Sequence, residues 1–354
     1  MTQRSGGGFI LEAEFSPGMT PGENQELARL VEDAGFDRLG VSDVVLWPDT
    51  FLVQALCAQV TERIEIGSMV SNPYVRHPAV LAAAVADLNE ISGGRAFFGL
   101  GVGAGLDAVG VESARPVPTL RQTITIMRDL LDGKPVTQEG SVFSMRDAQL
   151  RKPPSTYVPI AIGTRSEKIA GLAGELADRA LVGARYLSPA IAQSYRDWVE
   201  AGMRRSGRAT GSVEIAPRLT LCCSHDADAA RRTQRRDAAE FLVTLRPTDL
   251  DIAPEHFAAI EAALSRSRGW YFDPEAYHPP ELDELVTDDL VDKFSISGSP
   301  RDTLTSFKRL RDLGFGTASL KLAPVRTPGS SMFEGLRETI TSFAEVLPEV
   351  KALA

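Results

Sequence analysis

An α/β fold of the (β/α)8 TIM-barrel kind is what this sequence predicts, on three observations. Short apolar runs alternate with amphipathic helical patterns along most of the chain, and each strand pattern is followed by its own helix pattern. The 354 residues also suffice for one large barrel carrying an insertion. A helix for every strand favours closure over an open doubly wound sheet, because parallel crossovers are right-handed.

The first apolar run, residues 9–15, leads into Thr20-Pro21-Gly22-Glu23, where threonine and glutamate have capping-box spacing and proline takes the first helical position. Leu27, Leu30, Val31 and Ala34 then recur at helical spacing, and Gly35 stands where a C-terminal cap belongs. Residues 38–42 read as the second strand and 50–60 as its helix. Residues 64–71 read as the third strand, with a helix over 79–91 closed by Gly93-Gly94. The fourth strand spans 96–101 and its helix 119–131. A hairpin over 136–143, turning at Glu139-Gly140, interrupts the rhythm. It resumes with a fifth strand at 159–162 and a helix at 167–177, a sixth strand at 180–182 and a helix near 191–203, and a seventh strand at 217–224. The eighth strand, 317–322, precedes a terminal helix striped by Leu336, Ile340, Phe343 and Leu347.

Between the seventh and eighth strands lie about 90 residues, too many for a simple connection. They are helical in pattern until Arg268. The stretch 269–280, with Trp270, Tyr271, Phe272 and Tyr277, reads as a packed loop or lid. The whole chain, 1–354, is thus expected to be one barrel domain, with an insertion over approximately 226–290.

Hydrophobic residues make up 43% and charged residues 24%, a composition that excludes a disordered chain. A formal net charge of -9 excludes a DNA-coating role, and no nucleic-acid partner is expected. Cys222 and Cys223 are adjacent on one strand and point to opposite faces, so with Cys57 they offer no disulfide framework; a reduced, cytoplasmic setting is expected. Residues 1–8 lack the apolar core of a signal peptide and no stretch stays apolar for ~18 residues, so no membrane partner is expected. The histidines His77, His225, His256 and His278 lie far apart, and neither CxxC nor HExxH spacing occurs, so no metal site is expected.

In a barrel the reactive groups project from the C-terminal ends of the strands. Asp43 ends the second strand, where a carboxylate must be hydrogen-bonded or paired; it reads as a cofactor-orienting or proton-exchanging group, or as a cap for the following helix. Glu14, among apolar neighbours, reads as a group that meets substrate or as an internal ion pair with Lys321. Gly163-Thr164-Arg165-Ser166-Glu167-Lys168 joins a strand directly to a helix, so free N–H groups and the helix dipole suit a phosphate there, with Arg165, Lys168 and Arg185 adding charge. Thr164 and Glu167 alternatively match a capping box. Gly99, Gly101, Gly103 and Gly105 leave room for a flat ring, or simply supply a loop with positive φ angles. Arg231, Arg232, Arg235 and Arg236 read as a solvated helix face.

Several motifs carry a family resemblance. They are Asn72-Pro-Tyr-Val-Arg-His-Pro78, Ser92-Gly-Gly-Arg95, Gly99-Leu-Gly-Val-Gly103, Ala13-Glu-Phe-Ser-Pro17, Pro159-Ile-Ala-Ile-Gly163, Ala173-Gly-Glu-Leu-Ala-Asp178 and Val286-Thr-Asp-Asp-Leu-Val-Asp-Lys-Phe294 with Gly298-Ser-Pro300. With these, most of the chain resembles the luciferase-like flavin/deazaflavin superfamily, and within it the coenzyme F420-dependent branch that includes methylenetetrahydromethanopterin reductase. The resemblance implies a barrel with a long insertion before its last strand. It also implies a deazaflavin held at the C-terminal mouth against a non-prolyl cis peptide at Ser68-Met69, or one residue away. Ser71 and Asn72 would flank the ring. The segments Gly163 to Lys168 and Gly183 to Arg185 would hold the cofactor's phosphate.

The implied activity is hydride transfer between the deazaflavin C5 and a small organic substrate, reducing a C=C or C=N bond, with Asp43 or Glu14 supplying the proton. The alternatives are an FMN-dependent luciferase-like monooxygenase and a non-catalytic flavin-binding barrel. Glu14 matches the glutamate of the pterin reductases. Val44 replaces the histidine many relatives carry after the second-strand aspartate, and Ala104 stands near where the sugar-phosphate dehydrogenases have glutamate, which argues against glucose 6-phosphate oxidation. The segments 208–217 and 269–280 suggest a pocket different from that of a pterin enzyme. Barrels of this family pair through the second and third helices, so a homodimer packed on the alanine-rich residues 79–86 is expected.

Overall fold

The computed structural model describes residues 8–183, 185–268 and 279–353. Eight parallel strands close into a ring: β1 (Ile10–Phe15), β2 (Arg38–Val41), β3 (Glu65–Ser68), β4 (Ala96–Leu100), β7 (Ile160–Thr164), β8 (Arg179–Val182), β9 (Glu214–Cys223) and β11 (Thr317–Leu322), with β11 pairing back onto β1. Two further strands, β5 (Val136–Glu139) and β6 (Ser144–Ala148), form an antiparallel hairpin outside the barrel. The helices α1 (Pro21–Ala34), α2 (Thr50–Ala58), α3 (Pro78–Ile91), α4 (Pro116–Leu131), α5 (Glu167–Leu176) and α6 (Pro189–Arg205) each follow a barrel strand. Among the described residues no helix is long and apolar enough to cross a membrane.

Local chemistry accounts for the boundaries. Thr20 and Glu23 form the reciprocal capping box at the start of α1, and Gly35, at φ 98°, ends it in the left-handed region. Asp49 caps α2 through Phe51 N at 2.9 Å, so the cap of the second helix is Asp49 and not Asp43.

The insertion contributes α7 (Ala227–Leu245), α8 (Pro254–Leu264), α9 (Glu281–Leu285) and α10 (Asp288–Phe294), packed over their own apolar cluster around Leu242, Ile260 and Phe294. A short strand, β10 (Ile296–Gly298), then adds to β9 before α11 (Pro300–Asp312) completes the last crossover. The aromatic residues Trp270, Tyr271, Phe272 and Tyr277 lie outside the described residues.

Several expected boundaries move. The third strand stops at Ser68 instead of running to residue 71; a cis peptide joins Met69 and Val70, one residue beyond Ser68-Met69, and Ser71 then rejoins the sheet through Leu100. The hairpin's return strand lies after residue 143, because Gly140 and Phe143 close the turn. The seventh barrel strand begins at Glu214, so residues 214–217 are strand and Arg208 is at the opposite end from the mouth, where its guanidinium holds the Ala177 carbonyl at 2.6 Å and so closes the end of α5. That segment does not shape the pocket. The terminal helix breaks into α12 (Met332–Ala344) and α13 (Leu347–Lys351).

Along β1 the period of two separates the layers. Leu11, Ala13 and Phe15 pack outward with Leu27, Phe307 and Phe343, while Glu12 and Glu14, both fully buried, point into the barrel. The interior is filled in three tiers. At the bottom Arg38 contacts Glu12 at 2.8 Å, Glu65 at 2.9 Å and Glu214 at 2.6 Å, and Arg179 also pairs with Glu12. Above them Met69, Phe97, Ala161, Leu181 and Ala216 form an apolar plug, with the Arg179 guanidinium stacked 4.5 Å from the Phe97 ring centre. Glu14 belongs to the third tier, at the mouth.

Candidate active site

A cavity of about 560 Å³ opens at the C-terminal mouth. Its floor is the plug, contributed by Met69, Val70 and Leu181. Two glycines make that floor possible: a Cβ at Gly40 would stand 2.0 Å from Met69 Cγ, and one at Gly101 would stand 2.6 Å from Val70 Cγ2. The backbone around residue 70 can therefore come forward as a flat apolar surface.

One side of the cavity carries Asp43. Its Oδ2 accepts a 2.6 Å hydrogen bond from Ser71 Oγ and lies 3.6 Å from Arg76 Nε; its Oδ1 has no protein partner among the described residues. Burial raises its pKa above the usual carboxylate value, outweighing the Ser71 hydrogen bond and the Arg76 charge. Asp43 is thus a carboxyl group with a raised affinity for a proton, facing open space.

Glu14 is differently placed. Both its oxygens are taken, one by Arg218 Nε at 2.9 Å and the other by Ser42 Oγ at 2.6 Å and Arg218 Nη2. Lys321 is its neighbour across the β1–β11 pairing. Lys321 is buried, and that desolvation together with Arg185 pushes its pKa down to about 7 against the pull of Asp237 and Glu14.

At the third side, Gly163, Thr164, Arg165 and Ser166 line the cavity where β7 runs into α5. Thr164 Oγ1 accepts from Ser166 N at 2.9 Å, Glu167 falls at the first helical position, and α5 starts at Ser166 with no side-chain cap. The capping-box reading of Thr164 and Glu167 therefore fails, and the first-turn N–H groups stay available to an anion. Gly101, Gly103, Gly183 and Arg185 complete the wall, with Phe241 of α7 closing it from the insertion.

Not every residue singled out from sequence reaches the cavity. Ser68 is buried between strands, bonding the Gly99 carbonyl at 2.9 Å. Ser71 stands behind Asp43. Asn72 spends its Oδ1 on the amides of Tyr74 and Val75, shaping the loop. Lys168 is exposed and lines a separate surface groove with Arg121 and Trp198, because the second position of α5 turns it outward. Conversely, the cavity also takes Arg218 and Phe241, which the strand-end pattern does not single out. A lone arginine in the apolar run Ala216 to Leu221 was a usable signal for the first; nothing local marked the second.

Fold and cavity together define a barrel enzyme whose open C-terminal mouth is lined by Arg165, Arg185, Arg218 and Lys321. The model of the luciferase-like monooxygenase family matches residues 5–317, and the chain belongs to that family, as an oxidoreductase. It is 30% identical over 306 residues to the 5,10-methylenetetrahydromethanopterin reductase of Archaeoglobus fulgidus, covering 85% of this chain and 90% of the relative. Over 308 residues it is 32% identical to the enzyme of the same name from Methanolobus tindarius, with the same coverage of each chain. In fold it is similar to the coenzyme F420-dependent tetrahydromethanopterin reductase of Methanopyrus kandleri, with a TM-score of 0.81 at 23% identity, covering 97% of this chain and 100% of that one.

Proposed function

We propose that the protein is an F420-dependent reductase that delivers a hydride to a C=C or C=N bond of a small organic substrate. The observation that carries this is the uncapped start of α5 beside Arg165, on the rim of a cavity whose floor is the flat Met69-Val70 surface. That pairing suits a planar ring joined to a phosphate, and the archaeal reductases similar to this chain supply the choice of coenzyme F420. When bound, the deazaflavin supplies the hydride.

The chain's own residues do the remaining work. The amides at the start of α5, with Arg165, hold the phosphate. Met69 and Val70 back the ring and keep water from that face. Asp43 is the proton carrier, because its Oδ1 is open and burial favours its protonated form. Glu14 orients Arg218, since both its oxygens are occupied.

Anaerobic titration of the full-length protein with F420 and with FMN tests the reading. Saturable binding of F420 without FMN binding supports it; FMN binding alone points to the monooxygenase instead. Binding of neither would end it.

We further propose a homodimer. Leu46, Leu52 and Val80 are 79%, 69% and 56% exposed around the starts of the neighbouring helices α2 and α3, an apolar surface of the kind a second copy covers. Sedimentation at micromolar concentration should give twice the chain mass and Leu52→Glu should give a monomer; a monomeric wild-type protein refutes it.

A further inference from the structure

Arg185 lines the cavity with Gly183, just beyond the pairing of β8 with β9. It is 9% exposed, follows β8 with a positive φ of 42°, and its guanidinium donates to Thr220 Oγ1 at 2.5 Å while lying 5.2 Å from the Phe241 ring centre. Among the described residues no carboxylate comes within ion-pairing distance of it. Nearby charges include Arg218, Arg165 and Lys321, all cationic, and Glu14 is already committed to Arg218. Asp237 and Glu240 act on this group from α7 at longer range. A buried guanidinium whose side-chain hydrogen bond goes to a neutral hydroxyl, stacked on a ring, with cations beside it and carboxylates only at longer range, is costly to fold unless an anion completes it.

We propose that Arg185 and Lys321 form a second anion subsite in the cavity, which holds a carboxylate or phosphate group of the substrate. This rests on the reading of the cavity as an F420 site, with the cofactor's own phosphate at α5 and Arg165. Arg185 then selects substrates with an oxyanion near the reducible bond. Thr220 and Phe241 fix the guanidinium plane, so the insertion helix α7 takes part in specificity. Arg218 and Glu14 support the subsite from β9 and β1.

The test uses full-length protein, loaded with F420 and without it, titrated with acetate and with inorganic phosphate and followed by thermal shift. Saturable stabilisation of the loaded protein by either anion is expected, and whichever of the two binds tells carboxylate from phosphate. Arg185→Gln and Lys321→Met should weaken it about tenfold or more, and Arg185→Lys should retain most of it. In a parallel fluorescence titration, F420 affinity should fall in Arg165→Gln and stay near the wild-type value in Arg185→Gln. The inference is overturned if neither anion binds, if Arg185→Gln binds the anion as the wild type does, or if Arg185→Gln loses F420 as Arg165→Gln does. If F420 binds no form of the protein while the anion still depends on Arg185, the subsite stands and the cofactor reading falls. Should Arg185→Gln fold poorly, the Lys321→Met and Arg185→Lys pair carries the same comparison.

Discussion

Glu12 and Glu14 are two residues apart on one strand, both buried and both aimed into the barrel, yet they belong to opposite kinds of site. At the bottom, Glu12, Glu65 and Glu214 surround Arg38 and Arg179, and every formal positive charge has a carboxylate against it. Burial disfavours the Arg38 charge, but Glu12, Glu214 and Glu65 more than offset it and raise its pKa. At the mouth, the described residues of the cavity wall include Arg165, Arg185, Arg218 and Lys321 with Glu14 and Asp43, Asp43 is shared with Arg76, and Asp237 and Glu240 act from α7 at longer range. Burial and neighbouring cations depress Arg185 and Lys321 together. The tier whose guanidinia are each set against a carboxylate is scaffold; the tier where Arg185 meets only a hydroxyl and a ring beside open space is the one the proposed ligand would use.

The sharpest way to break that contrast is to remove one guanidinium from each tier. Arg38→Met leaves Glu65 and Glu214 without their guanidinium beneath the plug, with Arg179 still on Glu12, and unfolding in urea should show a loss of about 3–5 kcal/mol. Arg185→Gln removes an ill-satisfied charge and should cost far less stability while removing anion binding. Equal losses of stability would mean that both tiers are scaffold.

Next in size is the chemistry at Asp43. Asp43→Asn keeps the shape and the Ser71 contact but cannot pass a proton, so single-turnover reduction should slow by about 100-fold with F420 affinity little changed. Glu14→Gln should instead loosen Arg218 and weaken substrate binding. If Glu14→Gln slows the step more than Asp43→Asn, the proton carrier is Glu14.

How far these tiers could be read from sequence depends on the range of the forces that build them. The alternation of strands and helices is local, so all eight barrel strands and the start and end of α1 at Thr20 and Gly35 were legible. Asp43 and Glu14 were legible as carboxylates at strand ends. Their difference was not, because it depends on Arg218, 204 residues from Glu14, and on Ser71, 28 residues from Asp43. Lys168 differs from expectation for a local reason: its place at the helix start is visible in sequence, but the helical turn swings its side chain out of the cavity into a separate groove. Phe241 reaches the site only because the insertion folds back over the barrel.

The smallest effect expected, and the one that separates the tiers by pH, comes from Lys321. Its pKa of about 7 lies below the ordinary lysine value of 10.5, which the unfolded chain keeps. Below pH 7 the folded and unfolded forms both hold the proton, and the folded form bears the whole cost of an ammonium buried near Arg185 and Arg218, relieved in part by Glu14 from β1 and by Asp237 and Glu240 from α7. Between pH 7 and 10.5 the folded form has released the proton that the unfolded form still binds, so stability from this group rises with pH across that window. Lys321→Met should therefore be more stable than wild type at pH 6, by about 1–2 kcal/mol in urea unfolding, with the advantage shrinking towards pH 10. Anion affinity should move the other way, falling in the wild type as pH rises through about 7. The bottom tier gives no such signal, because its arginines keep their charge throughout. A Lys321→Met advantage that is constant from pH 6 to pH 10 would show that the fold leaves the proton affinity of the lysine unchanged, so that it stays charged across that range and the mouth tier is no more pH-sensitive than the bottom one.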